Sequence, residues 1–357
     1  SSGSTGEPKG VMLSQHNIVS NVEAVVQVID PRPRDVLIGT LPFFHSFGLT
    51  VTLWMPLMVG ASTVYHPNPL EAKEIGNLCS QHFGTLLIST PTFLRNYLRR
   101  CSAQDFESIR LLLCGAEKLP LHLEEAFEEK FGIRPYEGYG CTELAPVVST
   151  NIPDYEQGGI RQIGNKSGTV GHPLPGIATR IVDRETGESL PPGEQGVLNV
   201  LGPNVMTGYL EQPEATQAVI RDGWYNTGDI ASLDEDGFIT ITDRINRFSK
   251  IAGEMIPHVQ IEQSLHEIMS VHEQICAVTG ITDEHKGEQL VVLHLPLPEG
   301  LDPTVLCRKM REHGLPNLWI PMPRLFYEVD AIPVLGSGKL DIRRLREIAT
   351  VMSAKTT

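Results

Sequence analysis

Short strand-like runs at 36–41, 86–89, 109–114 and 134–137 constrain this chain more than any other feature. Leu, Ile and Val dominate the first three, and each run is shorter than an ordinary helix. Runs so short and so apolar are buried on both faces, which is the habit of parallel sheets. The stretch 123–131 places Leu123, Phe127 and Phe131 at helical spacing, so it reads as an amphipathic helix between two of the strands. This alternation predicts a largely parallel α/β sheet.

A helix is expected after Ser14, which stands as a cap before Ile18, Val22, Val25 and Val26. Past about Gly168 the texture changes. Strands at 177–182 and 196–201, with turn residues at 185–187 and 191–193, predict a small β-rich subdomain, and 237–242 reads as one more strand. A new unit follows Asp243-Arg244, with strands near 275–280, 289–295 and 325–329 and a helix near 304–313. The expected fold is therefore α/β and multi-domain: a large domain over 1–245 with its β-rich subdomain, and a small α+β domain over 246–357. A chain of 357 residues can bury both cores.

Residues 36–70 carry no Asp, Glu, Lys or Arg, which is length enough for a membrane-spanning helix of ~20 residues. Pro42, His45, Pro56, Gly60 and His66 interrupt the run, so buried strand, loop and helix are expected there instead. The net charge of −14 argues against nucleic acid as a partner. Cys79, Cys101, Cys114, Cys141, Cys276 and Cys307 show no zinc-like spacing and read as reduced thiols in a cytosolic setting.

Four segments carry chemistry. Residues 1–10 pack Ser1, Ser2, Ser4, Thr5 and Lys9 among glycines, and such a loop brings hydroxyls, amides and a cation to one phosphate. The spacing is not that of a Walker loop, and a flexible linker is the bland alternative. Tyr139-Gly140-Cys141-Thr142-Glu143 follows a predicted strand; Glu143 is suited to a magnesium ion and Tyr139 to a base, unless this is a strand-end turn with a solvated carboxylate. Asp229, after the Tyr225–Gly228 turn residues, offers acceptors to ribose hydroxyls or is merely exposed. Lys339 sits on a glycine-flanked loop at 333–339, solvated or reaching into a cleft.

In this order the four segments resemble the adenylate-forming superfamily of acyl-CoA synthetases, luciferases and peptide-synthetase adenylation domains. The resemblance covers essentially the whole chain. It extends to Pro42–Gly48, Gly115-Ala116-Glu117, Gly168–Pro173, Gly208-Tyr209-Leu210 and Asp243-Arg244…Lys250…Gly253. It implies ATP and Mg2+ as cofactors. Ser2, Ser4, Thr5 and Lys9 match its phosphate loop, and Gly115, Ala116, Glu117 and Tyr139 its adenine pocket. Thr142 and Glu143 match the α-phosphate and magnesium site, and Asp229 and Arg244 the ribose contacts. Lys339 matches the adenylation lysine, Lys250 the loop that serves thioester formation, and Asn246 the hinge of a mobile small domain. Many relatives carry Asp or Lys at that hinge.

Within the superfamily, Phe43–Thr50, Gly115–Leu119, Glu137–Gly140, Ala145–Ser149 and Lys250–Met255 look like the acyl–acyl-carrier-protein synthetase part of bacterial bifunctional enzymes that also reacylate lysophospholipid. No His here has Asp five positions on, so the acyltransferase half of such enzymes is not in this chain. The resemblance further implies a long-chain fatty acid substrate, with acyl carrier protein or CoA as thiol partner; a non-catalytic binding module made from a broken enzyme is the alternative of a different class. Amino-acid activators place Asp after the Phe corresponding to Phe44; this chain has His45, and the apolar run 43–57 with Ala145, Val147 and Val148 suits an alkyl chain. His45 is also readable as a plain core histidine. The chain opens at Ser1 inside the phosphate loop, so a longer protein is expected, with the N-terminal part of the large domain missing. A cytoplasmic enzyme is implied, its membrane association, if any, made through the upstream part.

Overall fold

The computed structural model describes residues 9–244, 247–252, 254–271, 273–283, 287–334 and 340–356. Its contacts divide it into two compact units, one of residues 9–227 and 231–241, the other of 228–230 and 242–357.

The first unit is built on a seven-stranded sheet. Its strands are β1 (Val36–Gly39), β2 (Ser62–Tyr65), β3 (Leu86–Ser89), β4 (Leu111–Cys114), β5 (Pro135–Gly140), β6 (Val147–Thr150) and β7 (His172–Pro173), in the spatial order β7-β6-β5-β4-β3-β1-β2. Strands β1 to β5 pair in parallel, and β6 and β7 add an antiparallel edge. Consecutive residues of a strand face opposite ways. Ile38, Leu87 and Leu112 therefore join one core, with Ile75 of helix α2 (Ala72–Gln81), Leu94 of α3 (Pro91–Arg100) and Phe127 of α4 (Leu121–Phe131). Their neighbours Leu37, Leu86 and Leu111 join another, with Val22 and Val25 of α1 (Gln15–Ile29). Ser14 caps α1 in both directions: its hydroxyl accepts from Asn17 N–H at 3.1 Å, and Asn17 Oδ1 accepts from Ser14 N–H at 2.8 Å. Such a box contributes about 1 kcal/mol.

The charge-free stretch resolves into β1, a π-helical segment Gly48–Trp54, a short helix Met55–Val59 and β2. No helix among the described residues is long and apolar enough to cross a membrane. The β-rich subdomain is a sheet of β8 (Ala178–Val182), β9 (Gly196–Leu201), β10 (Ile220–Arg221), β11 (Trp224–Leu233) and β12 (Ile239–Arg244), in the order β8-β9-β11-β10 with β12 beside β11.

The second unit is α+β. Strands β13 (Phe248–Ile251), β14 (Glu254–Pro257), β15 (Cys276–Asp283), β16 (Gly287–His294) and β17 (Phe326–Glu328) form its sheet. Helices α5 (His258–Met269) and α6 (Pro303–Glu312) cover one face through Ile261, Leu265 and Leu306, and α7 (Ile342–Thr356) covers the other through Leu345 and Ala349. All cysteines but Cys141 are buried. Burial pushes the Cys79 thiol up to about 12, and those of Cys101 and Cys307 up to about 11.

Candidate active site

Ligands of open α/β sheets gather at the carboxyl ends of the parallel strands, and the candidate residues of the first unit stand there. Directly after β4 come Gly115, whose N–H donates to Ser89 O at 3.2 Å, and Ala116, held at φ 70°. Glu117 follows, and its carboxylate accepts from Thr92 N–H at 3.3 Å and Thr92 Oγ1 at 2.7 Å at the start of α3. Tyr139 and Gly140 end β5, and a 3-10 turn Thr142–Leu144 follows.

Backbone contacts shape that turn. Cys141 N–H donates back to Pro146 O at 3.0 Å. A Cβ on Gly140 would lie 2.1 Å from the same carbonyl oxygen, so only glycine fits there. The turn is also tied to residues far along the chain: Met206 N–H donates to Glu143 O at 2.8 Å, and Asn204 Nδ2 to Leu144 O at 2.8 Å. Glu143 is thereby buried, at 7% exposure, rather than solvated.

Glu143 Oε1 accepts from the Tyr209 hydroxyl at 3.1 Å. Burial, with the Glu143 charge beside it, pushes that phenol up to about 12, so it remains a donor. Lys9 Nζ stands 4.8 Å from the centroid of the Tyr209 ring. The backbone explains the meeting: Val11 pairs with Tyr209 and Met12 with Gly208, and Leu210 N–H donates to Gly10 O at 2.7 Å. On the other side of the turn, Ser46 Oγ lies 3.2 Å from Thr142 Oγ1. His45 is half-buried and its Nδ1 accepts from Phe47 N–H at 3.2 Å, which leaves the ring proton of the neutral form on Nε2.

Thus Lys9, Thr142 and Glu143 come together, with Tyr209 and Ser46 as partners that the motif reading did not single out. Tyr209 had a signal, the Gly208-Tyr209-Leu210 motif; Ser46 stood inside Pro42–Gly48 without a role. Asp229 does not follow an open turn. It lies within β11, after Gly228 at φ 69°, and is buried at 2% exposure. The apolar run 43–57 is split rather than continuous. Val51 and Met55 pack in the core beneath α1, whereas Phe44 is 93% exposed and Trp54 and Leu57 also face outward. Ala145 and Val148 are buried, Val148 in the core shared with Leu198 and Val200 of β9. Arg244 ends β12. In the second unit, Lys250 is exposed on β13. Ser2, Ser4, Thr5, Asn246, Gly253 and Lys339 lie outside the described residues.

Among the described residues no group of three or more His, Cys, Asp or Glu side chains could hold a metal. The buried Glu143 carboxylate with the adjacent Thr142 hydroxyl fits magnesium, which takes one or two protein carboxylates and completes its shell with phosphate oxygens and water.

A family model described as AMP-binding enzyme matches residues 1–210. A long-chain-fatty-acid–CoA ligase of Bacillus subtilis (strain 168) is 34% identical over 356 residues, 98% of this chain and 60% of that protein. A feruloyl-CoA synthase of Amycolatopsis is 32% identical, over 96% of this chain and 68% of its own. Among solved structures, ATP-bound MatB from Rhodopseudomonas palustris matches with a TM-score of 0.85 at 29% identity, covering 98% of this chain and 67% of that one. The o-succinylbenzoate CoA synthetase of Bacillus subtilis, solved with its acyl-adenylate intermediate, matches with a TM-score of 0.84 at 28% identity, covering 97% and 68%. The chain spans about 60% of the length of the first of these relatives.

Proposed function

Because the chain belongs to the AMP-binding enzyme family, we propose that the whole protein activates a long-chain fatty acid with ATP and passes the acyl group to a pantetheine thiol. The observation that carries this reading is the buried turn Thr142–Leu144, which holds Glu143 and Thr142 at the carboxyl end of β5 with Lys9 close by.

In the first step a fatty acid carboxylate oxygen attacks the α-phosphorus of ATP, an acyl-adenylate forms and pyrophosphate leaves. Negative charge gathers on one phosphorus centre, so positioned donors and cations supply most of the acceleration. Thr142 would donate to the α-phosphate, with Lys9 and the residues at 2–5 on the β- and γ-phosphates. Glu143 would hold magnesium, which when bound neutralises phosphate charge. The backbone of Gly115 and Ala116 and the ring of Tyr139 would receive adenine, and Asp229 and Arg244 the ribose. Lys339 would serve adenylation, and Lys250 the attack of the thiol on the acyl carbonyl. Residues 246–357 would act as a mobile small domain turning at Asn246, since two lysines on separate loops serve two steps.

Acyl carrier protein is the proposed acceptor, on the likeness of the Phe43–Thr50 and Lys250–Met255 segments. A CoA ligase is the second reading, favoured by the 34% identity to a long-chain-fatty-acid–CoA ligase. ATP–pyrophosphate exchange by the full-length protein is expected to respond to long-chain fatty acids; response only to amino acids or aromatic acids overturns the substrate class. Product analysis with holo-carrier protein and CoA in competition separates the two acceptors.

A further inference from the structure

Strand β13, which carries Lys250, is tied down more heavily than its length requires. Its inward residues alternate with its outward ones. Arg247, just before it, is 9% exposed, Ser249 0% and Ile251 4%, whereas Lys250 is exposed. Each polar inward residue has a buried partner on α5. Arg247 Nη2 donates to Glu262 Oε2 at 2.5 Å, and Glu262 Oε1 in turn accepts from Val278 N–H of β15 at 2.6 Å. Ser249 Oγ is hydrogen-bonded to His258 Nε2 at 2.8 Å. Burial, then the charges of Arg247 and Arg346, pushes His258 down to about 3, so the pair is neutral and costs little to bury.

The seat of Ser249 is specific. A Cβ on Gly280 of β15 would lie 2.0 Å from Ser249 Oγ, so the Ser249 hydroxyl occupies space that any side chain at position 280 would fill. The outward residue is fixed through its backbone: Lys250 N–H donates to Glu288 Oε2 at 2.8 Å, and Arg346 Nη2 of α7 holds Glu288 Oε1 at 3.0 Å. In a strand, a shift by one residue would exchange the inward and outward sets. The buried Ser249–His258 bond and the Gly280 clearance forbid that shift.

We propose that Ser249, through His258, is a positioning residue for Lys250 in the thiol-transfer step, holding β13 in the register that turns Lys250 outward. This rests on the reading of Lys250 given above. The test uses the full-length protein and separates two half-reactions: ATP–pyrophosphate exchange, and transfer from supplied acyl-adenylate to the thiol. Ser249→Ala is expected to lower kcat for transfer by about tenfold or more, below the ~10²-fold that a misplacement of about 1 Å can cost. KM for the thiol and the exchange rate should stay near wild type. His258→Gln, which keeps a hydrogen-bonding partner for Ser249, should retain most of the transfer rate. In a Lys250→Ala background, itself slow in transfer, Ser249→Ala should add nothing, because it acts through Lys250. Equal loss of both half-reactions overturns the inference in favour of a purely structural role, as does full additivity with Lys250→Ala. If Lys250→Ala is slow in transfer and Ser249→Ala is not, the inference alone fails. If Lys250→Ala transfers at the wild-type rate, the assignment of Lys250 fails first and takes the inference with it.

Discussion

The two ends of the parallel sheet treat buried acid in opposite ways. At the amino ends, Asp35, Thr85 and Arg110 precede β1, β3 and β4 and bind one another. Asp35 accepts from Thr85 Oγ1 at 2.7 Å, from Arg110 Nε at 3.0 Å and Nη2 at 2.6 Å, and from Arg32 N–H at 2.7 Å. Burial alone would raise its carboxyl, yet these donors bring it down to about 2. At the carboxyl ends, Glu137 accepts one bond from Leu119 N–H at 3.1 Å, and burial pushes it up to about 7 despite that donor and nearby Lys118. Glu143, six residues on, is buried against a neutral tyrosine hydroxyl. One end spends its donors on itself and is structural. The other leaves buried carboxyl groups that a cation or a ligand donor would complete, as the proposed site requires.

The largest effect that could break this contrast is at Glu143. Glu143→Gln is expected to lower ATP–pyrophosphate exchange by roughly 10²–10³, the cost of losing one positioned charge group, while thermal unfolding shifts little. Exchange at the wild-type level would place Glu143 among structural residues like Asp35.

Next is Glu137, where the sign is opposite to the usual carboxylate. Its folded value of about 7 lies above the ordinary 4.5, so the folded state holds this proton more tightly than the unfolded. Its favourable contribution is complete below 4.5 and is lost as pH rises to 7. Glu137→Gln, which keeps the acceptor for Leu119, should therefore stabilise the protein at pH 8 by on the order of 2–3 kcal/mol. At pH 4 it should change nothing. Urea denaturation at the two pH values reads the difference; equal effects at both would put Glu137 in the same class as Asp35.

The smallest expected effect is at the amino ends. Asp35 is depressed from 3.8 to about 2, so its contribution is present above 3.8 and lost as pH falls through 2. Asp35→Asn should cost about 2 kcal/mol at pH 7 and leave pyrophosphate exchange intact in conditions where the protein is folded. Loss of exchange without loss of stability would undo the division between the ends.

What could be read before the structure follows from how local each signal is. Runs 36–41, 86–89 and 109–114 announced β1, β3 and β4 because strands buried on both faces are apolar throughout, and Ser14 announced α1 because a cap acts within three residues. Strands β6 and β7 gave no such signal; Val147–Thr150 is too short to show a period, and its pairing with β5 depends on the turn Gly140 permits. The π-helical Gly48–Trp54 has no distinct pattern either. In the site, residue types could be named from order and spacing. Burial could not: a carboxylate after a strand is solvated or enclosed according to what returns to it, and Tyr209 returns from sixty-six positions away. Likewise the apolar look of 43–57 said nothing of which side chains the core would claim and which, like Phe44, would face outward. Ser249 and His258 showed nothing in sequence because their meeting needs the hairpin of β13 and β14 and the gap at Gly280.

The burial of every cysteine but Cys141 gives the molecule a built-in chemical handle. A thiol must ionise and be reached before an electrophile can alkylate it. Cys79, Cys101 and Cys307 are held from both by their surroundings, and Cys114 and Cys276, whose thiols burial also raises, are enclosed at 2% and 1% exposure. Cys141 sits in the sequence between Tyr139 and Glu143, at the turn itself. Among the cysteines of this chain, a limiting dose of a small maleimide should therefore tag Cys141 first, and the yield of that adduct, counted by peptide mass mapping, becomes a direct gauge of how much of the turn is covered at any moment.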